Sequence, residues 1–125
     1  MATANANVKK VLNALRGEGN VIKSWKSDDG TQWYRKWSDG FLEQGGVVSD
    51  INTEASVTVT FPLAFSSVCS VIVEKTRHNA GDAYCPGVSQ DSVTLSQFAV
   101  RSDRLSASTA GIGNKQKVYW RAEGY

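Results

Sequence analysis

The fold is decided by one stretch, Trp33-Tyr34-Arg35-Lys36-Trp37-Ser38-Asp39-Gly40-Phe41-Leu42-Glu43-Gln44-Gly45-Gly46. Its first part is aromatic and basic, its last part returns with bulky apolar residues, and Ser38-Asp39-Gly40 lies between them. Two β-rich segments on either side of a Ser-Asp-Gly turn predict a β-hairpin. We therefore expect β-structure from the first third of the chain onward.

The side chains of this hairpin alternate between two faces. Trp33 and Trp37 share one face of Gln32–Trp37, and Gln32 and Lys36 share the other. We expect the tryptophans to pack inward and the other face to meet water, although alternating aromatic and basic residues also suit stacking on bases or sugars. The pair Gly45-Gly46 is expected to break or bend the returning strand.

Length and charge exclude several classes of protein. The 125 residues correspond to one domain, and the net charge of +2 comes from 14 basic and 12 acidic residues mixed along the chain. Such a balance argues against a nucleic-acid-binding face. No apolar run has membrane-spanning length, and no signal peptide is visible.

Metal and cofactor chemistry has no support in the sequence. His78 is the only histidine, and Cys69 and Cys85 do not form a CxxC pair, so we expect no metal and no cofactor. Cys69 lies in an apolar segment, where a free thiol behaves as a small buried hydrophobe. A disulfide between the two cysteines is the weaker alternative.

The sequence predicts one helix, over residues 4–16. Val8, Val11 and Leu15 recur at spacings of three and four residues and form an apolar stripe. A helix of about three turns is marginal alone in water, so it needs a partner. Packing on the domain's own sheet and packing against copies of itself in a coiled coil remain open. We divide the chain into a stalk segment, residues 1–19, and a β-rich domain, residues 20–125.

The rest of the chain is predicted to be β-structure. The apolar phase slips after Val93 and Leu95, which predicts a bulge near Ser96-Gln97. Val71-Ile72-Val73 is apolar on both faces, so we expect burial on two sides, the second by another subunit. Loops are expected over Thr76–Gly87 and Ser102–Lys115, and strands over Val21–Lys26, Gln32–Trp37, Phe41–Gly45, Ser56–Phe61, Val68–Lys75, Ser92–Val100 and Lys117–Glu123.

No catalytic constellation is present, so we expect no enzyme. His78 is the only candidate histidine base, and no motif pairs the carboxylates of Asp39, Glu43, Asp50 or Glu54.

Two polar segments are candidates for recognition, because binding residues concentrate in loops on a rigid β scaffold. Both mix groups that hydrogen-bond to sugar hydroxyls, and the first adds a ring that stacks on a pyranose; ordinary polar connections are the alternative. The candidate residues are Arg77, His78, Asn79, Asp82 and Tyr84 in the first segment and Arg101, Asp103 and Arg104 in the second.

Three segments resemble those of a known family. Residues Trp33–Gly46 resemble the WYRKWSDG-[aromatic]-[aliphatic]-EQGG signature of the C-terminal domains of bacteriophage and prophage tail fibres. Val57–Phe65 resembles the family segment TVTLPVAF, and Tyr119–Tyr125 resembles its closing WxAxGY. The resemblance covers most of residues 31–125.

The resemblance implies an all-β, β-sandwich-like knob with a short N-terminal helix, assembled as an intertwined homotrimer at the tip of a tail fibre. It implies a virion protein that is assembled in the host cytoplasm and adheres to a bacterial surface polysaccharide or outer-membrane protein, without nucleic acid or membrane insertion. A trimerisation cap without receptor contact and a polysaccharide-degrading enzyme are the alternatives. The scaffold positions are then of two kinds, beside the stripe Val8, Val11 and Leu15. Trp33, Trp37, Phe41 and Trp120 pack in the core or the trimer interface, and Gly40, Gly45 and Gly46 are required by the backbone geometry.

Overall fold

Two antiparallel sheets make up the fold. The computed structural model describes residues 6–11, 19–51, 56–67, 69–75, 84–104 and 116–125, of which 6–11 are helical and Gln90–Ser92 form a single 3-10 turn. In these residues one sheet has the strand order β1-β2-β3-β8-β5 and the other the order β4-β7-β6. The strands are β1 (Val21–Lys26), β2 (Gln32–Trp37), β3 (Leu42–Ile51), β4 (Ser56–Thr60), β5 (Cys69–Lys75), β6 (Tyr84–Val88), β7 (Gln97–Arg104) and β8 (Gln116–Gly124).

The predicted all-β fold class is confirmed, and the two sheets face each other across an aromatic core. Trp120 of β8 contacts both Phe61 and Phe98, with ring centroids 5.9 Å and 5.4 Å away, and the two phenylalanine rings contact each other at 5.4 Å. All three side chains are buried, and together with Val100 and Val118 they belong to one continuous cluster that draws on both sheets. Aromatic side chains of this size contribute much of the apolar area that a small domain buries.

The prediction that the tryptophan side of the first hairpin packs inward is wrong. Tyr34 is the buried residue of β2, at 7% exposure, while Trp33 and Trp37 are only half-buried. Tyr34 pairs with Gln44, which pairs with the buried Ala122, so this side of the hairpin faces the second sheet. The alternation of β2 was correctly recognised, but its aromatic residues occupy both faces, so their identity did not tell the inner face from the outer one.

Three strand predictions need correction. β3 runs through Gly45-Gly46 without a break, because both glycines pair in register with β2 and β8. The apolar slip near Ser96-Gln97 is not a bulge: residues 93–96 are a connection, and β7 starts only at Gln97. β7 then continues to Arg104 and pairs with β6, although the sequence predicts loops over Tyr84–Gly87 and Ser102–Arg104. The bounds predicted for β1 and β2 are confirmed.

The strand VIV of β5 has one covered face and one open face. Val71 and Val73 pack against the core, while Ile72 between them is 67% exposed. In the helical residues 6–11, Val8 and Val11 are likewise 59% and 58% exposed, and Leu15 lies outside the described residues. In the part of the chain that the structure describes, these apolar side chains are not covered.

Strands that flank the two recognition segments end at the same end of the fold. β5 ends and β8 begins there, because Lys75 pairs with Val118, and β6 begins opposite the last residue of β7. β3 also ends there, and only residues 52–55 separate it from the start of β4 in the other sheet, which is a reach of at most about 18 Å. We call this the loop end of the fold.

Candidate functional site

The sequence-predicted recognition residues fall partly within the described chain. Arg77, His78, Asn79 and Asp82 lie outside it. Tyr84 and Arg104 have described backbone positions, where they pair with each other as the first residue of β6 and the last of β7. The register therefore brings the end of the first candidate segment beside the end of the second, at the loop end.

Arg101 and Asp103 form an exposed ion pair on β7. The Nε of Arg101 donates to Oδ1 of Asp103 at 2.5 Å, and the two side chains are 44% and 62% exposed. They share the outward face of β7, since the alternate residues Val100 and Ser102 are fully buried. A guanidinium and a carboxylate side by side offer donors and acceptors to a polar ligand such as a sugar.

A second polar cluster, which the sequence did not indicate, lies on the outer face of the five-stranded sheet. Register places Lys26, Trp33, Gly45, Arg121 and Ile72 in one row across its strands. A groove of about 640 Å³ opens along the β1, β2 and β3 part of this face. We call it the outer groove. The lining residues whose side chains share this face are Ser24, Lys26, Trp33, Arg35, Glu43 and Arg121; the neighbouring Trp25 and Tyr34 also border it, but they occupy the alternate positions, on the face towards the second sheet.

Glu43 is the buried centre of the outer groove. Its side chain is 9% exposed; Oε2 accepts a 2.8 Å hydrogen bond from Nη2 of Arg121, and Oε1 lies 3.6 Å from Nη1 of Arg35. The two arginine side chains remain 53% and 59% exposed. Burying a carboxylate is costly unless it is paired, so the two arginines stabilise Glu43, and Glu43 in turn orients the guanidinium group of Arg121. Arg121 comes from 78 residues further along the chain, and no local pattern reveals that contact.

The position of Trp33 in the outer groove depends on Gly45. A Cβ built at this position would lie 2.8 Å from Cζ2 of Trp33, so the indole ring lies directly over the glycine backbone. The guanidinium carbon of Arg35 is 5.8 Å from the centroid of the same ring. One side of the Trp33 ring thus lies on a bare stretch of β3, and a cation of its own strand lies near the ring without close contact.

Gly46 makes room for side-chain packing on the opposite face of the sheet. A Cβ there would meet the backbone oxygen of Thr31 and lie 2.8 Å from Nε1 of Trp120. Trp120 is 4% exposed, so the second glycine of the pair makes room for the core. The two neighbouring glycines therefore accommodate two tryptophans on opposite sides of one strand.

The remaining residues of the 33–46 stretch shape the hairpin turn and anchor the neighbouring loop. Gly40 has φ +93°, and the backbone N–H of Phe41 donates to Oδ1 of Asp39 at 2.9 Å. Phe41 meets Tyr125 edge-on at 5.7 Å between centroids. The amide of the fully buried Gln44 holds Leu63 from both sides, accepting from its N–H at 3.0 Å and donating to its carbonyl at 2.5 Å.

Among the described residues, the structure shows no metal-binding cluster, no membrane-spanning helix and no disulfide. There, no three His, Cys, Asp or Glu side chains lie together in a way that could hold a metal ion. No helix among the described residues has the length and apolar character needed to cross a bilayer. Cys69 and Cys85 are both free thiols, Cys69 half-buried and Cys85 exposed.

Solved structures of pyocin tail fibres share this fold. An N-truncated R2-type pyocin tail fibre matches with 20% identity and a TM-score of 0.59 over 90% of this chain and 41% of that chain. A Pseudomonas aeruginosa R2 pyocin fibre matches with 20% identity and a TM-score of 0.60, over 90% of this chain and 28% of that one. An N-truncated R1-type pyocin tail fibre matches with 20% identity and a TM-score of 0.56, over 93% and 95% of the two chains.

The chain thus spans less than half the length of the two R2 fibre structures, and at this identity the likeness concerns the fold alone. Among curated proteins no sequence matches. The family model described as "Putative tail fiber protein gp53-like, C-terminal" matches residues 36–125. Because that match covers well over half of the sequence and includes the last part of the 33–46 stretch, the chain belongs to the gp53-like family of tail fibre C-terminal domains.

Proposed function

We propose that this tail fibre C-terminal domain is a receptor-binding module, which attaches a phage or phage-related particle to a polysaccharide or an outer-membrane protein of the bacterial surface. Adhesion of this kind requires recognition without turnover, and the domain acts as a non-enzymatic part of the particle, assembled in the host cytoplasm. The family supplies the place of the domain in a fibre. The recognition itself is our inference.

The pairing of Tyr84 with Arg104 is the observation that carries the proposal. It joins Tyr84, the last residue of the first candidate segment, to the second segment, Arg101–Arg104, in one β6–β7 pair at the loop end. β7 is anchored by fully buried Phe98 and Val100, so this described part of the two segments belongs to a rigid scaffold. Rigid support lowers the entropy lost on binding, which favours a receptor site at this end.

We further propose that the domain forms a homotrimer. Four large apolar side chains are between 49% and 67% exposed: Val8, Val11, Ile72 and Tyr119. Apolar surface that stays in contact with water contributes no hydrophobic stabilisation. Contact with two further copies of the chain would bury these side chains. Three linked copies of a weak site then bind a repetitive surface with far higher avidity than one copy does.

Adsorption of particles to host cells tests the receptor site. Replacing Arg77, His78 and Tyr84 together by alanine in the intact fibre should lower the adsorption rate about tenfold or more, as loss of central contacts does in other interfaces. Asp28→Asn, an exposed change in the β1–β2 turn, is the matched control and should adsorb normally. Normal adsorption of the triple variant, with folded and trimeric fibres, would rule out this site.

The alternative function is a folding and trimerisation cap without receptor contact. The two functions separate when the purified 125-residue chain is added in excess to host cells before the particles. A receptor-binding domain blocks adsorption, whereas a cap does not. Light scattering on the same sample should give three times the 13.6 kDa of one chain. Ile72→Ser should shift that mass towards the monomer, and a stable monomer for the unchanged chain would contradict the trimer.

A further inference from the structure

We propose that the outer groove is a binding site for an acidic sugar, a pyranose ring that carries a carboxylate. The proposal rests on the proposed function, because its ligand is a unit of a bacterial surface polysaccharide. It concerns different residues from those of the loop end: Lys26, Trp33, Arg35, Glu43 and Arg121.

Charge selects an anion for this groove. Lys26, Arg35 and Arg121 line it with the carboxylate of Glu43, and with the exposed Glu123, which pairs with Glu43 in register on the same face, counted as well, the cations are still in excess. Each guanidinium carries five N–H donors, and Glu43 engages only part of each set while more than half of each arginine side chain stays exposed. The donors that point away from Glu43 suit a second carboxylate, which arginine binds through two parallel hydrogen bonds.

One of the cations is held in place before any ligand arrives. Arg121 is oriented by its 2.8 Å hydrogen bond to the buried Glu43, whereas Arg35, 3.6 Å from Glu43 and 5.8 Å from the centroid of Trp33, is attracted to both without a hydrogen bond to Glu43. Long side chains normally lose rotamer freedom when they bind, and this loss weakens association. For Arg121 much of that ordering is already imposed by the fold, which distinguishes this residue from a solitary surface arginine.

An aromatic ring beside the cations favours a ring-shaped ligand over a small ion. One side of the half-buried Trp33 ring lies against Gly45, on the same face of the sheet as Arg35 and Arg121. Aromatic faces carry partial negative charge and attract the weakly positive C–H groups of a sugar. The volume of about 640 Å³ is within the range of roughly 300–1,000 Å³ for small-ligand sites. A pyranose that carries a carboxylate can therefore contact the arginines and the indole ring of Trp33 at the same time.

Calorimetric titration of the full 125-residue chain with trigalacturonate tests the site, with maltotriose and inorganic phosphate as the comparison ligands. We expect saturable binding of trigalacturonate that weakens as salt is added, and binding of maltotriose about tenfold weaker or absent. Equal affinity for maltotriose would contradict the role of the arginines. Equal affinity for phosphate would contradict the role of the Trp33 ring, and absence of trigalacturonate binding would overturn the proposal.

Three variants locate the binding. Arg35→Gln and Lys26→Gln should each weaken trigalacturonate binding about fivefold or more, and both leave the short contact between Arg121 and Glu43 intact. Lys117→Gln removes the same charge from the same face of β8, roughly 13 Å from Arg121, and should bind normally. Equal loss in all three variants would indicate a general charge effect and contradict the site. If circular dichroism shows that Arg35→Gln misfolds, the Lys26→Gln variant, which changes an exposed side chain, still tests the site.

Particle adsorption separates this inference from the proposed function. Suppose that the domain binds a receptor but the outer groove does not bind the sugar. Particles with Lys26→Gln then adsorb normally, whereas particles with alanine at Arg77, His78 and Tyr84 do not. If receptor binding is wrong, the isolated chain fails to block adsorption whatever it does with trigalacturonate.

Discussion

The indole ring of Trp33 lies over the backbone of Gly45 on the neighbouring strand, so closely that a Cβ at residue 45 would fall 2.8 Å from the ring. This contact explains why a glycine occurs in the middle of a ten-residue strand, where it normally weakens the sheet. The glycine lets a large side chain lie flat on an otherwise open sheet face. Trp33, Arg35 and Glu43 then lie together on that face.

Gly45→Ala should destabilise the domain by about 1–3 kcal/mol, the usual result of overpacking, because the ring of Trp33 has to move. Gly87→Ala is the matched control, a strand glycine whose added Cβ would meet nothing within 4 Å. It should change the free energy of unfolding by less than about 0.5 kcal/mol. Urea unfolding followed by tryptophan fluorescence measures both. Similar midpoints for the two variants would contradict the packing argument.

Gln44→Leu should destabilise the domain by about 1–3 kcal/mol although it makes the core more apolar. The substitution removes both hydrogen bonds to Leu63, leaving its N–H and carbonyl without the partners they have at 3.0 Å and 2.5 Å. Thermal unfolding by calorimetry gives the change. Gln97→Leu, an exposed glutamine on β7, is the control and should have little effect. A neutral Gln44→Leu would show that the loop of Leu63 is held by other contacts.

Local sequence patterns correctly predicted strands with alternating side chains. They failed where contacts between residues far apart in the sequence determine whether a segment is a strand. β1 and β2 have the predicted bounds because turn residues flank them. β6 was missed because it contains Pro86 and Gly87, which usually indicate a loop; its position at the edge of the three-stranded sheet is one where proline is tolerated. Gly45-Gly46 was read as a break for a similar reason, since the packing of two tryptophans on them is invisible in sequence.

The candidate sites show the same division. The polarity of Arg101 and Asp103 was visible in the sequence, and the structure adds that they form an ion pair on one face. The outer groove was not visible, because Glu43 meets Arg121 only when β3 and β8 pair. Residues 33–46 resemble tail fibre domains in sequence, but the resemblance does not show how these residues pack against one another.

The two cysteines should differ in reactivity. The thiol of Cys69 is half-buried and donates to the carbonyl of Thr94 at 3.6 Å, and burial raises its pKa. Since the thiolate is the reactive form, Cys85, which is exposed, should be alkylated by iodoacetamide about tenfold faster. Peptide mass spectrometry at successive times measures both rates. Cys85→Ser should leave only the slow reaction, and protection of both thiols until a reductant is added would reveal a disulfide instead.

The turn between β1 and β2 should make stability depend on pH in acid. Hydrogen bonds from the Ser27 hydroxyl and from the backbone and side chain of Thr31 lower the pKa of Asp29 from 3.8 to about 2. The unfolded chain therefore holds the proton more tightly than the folded one. The stability that the ionised carboxylate contributes is fully present above pH 3.8 and is lost as the pH falls towards 2.

Asp29→Asn removes this dependence but keeps an oxygen that accepts the same hydrogen bonds. The thermal midpoint of the unchanged chain should exceed that of Asp29→Asn by most near neutral pH, and the difference should shrink towards pH 2. Asp28→Asn makes the same charge change on the same turn, at a residue that takes no part in the Ser27 and Thr31 hydrogen bonds, so its difference from the unchanged chain should not follow that course. A gap between the unchanged chain and Asp29→Asn that stays constant down to pH 2 would mean that the turn forms equally well around a protonated Asp29, and the hydrogen bonds would then not depend on its charge.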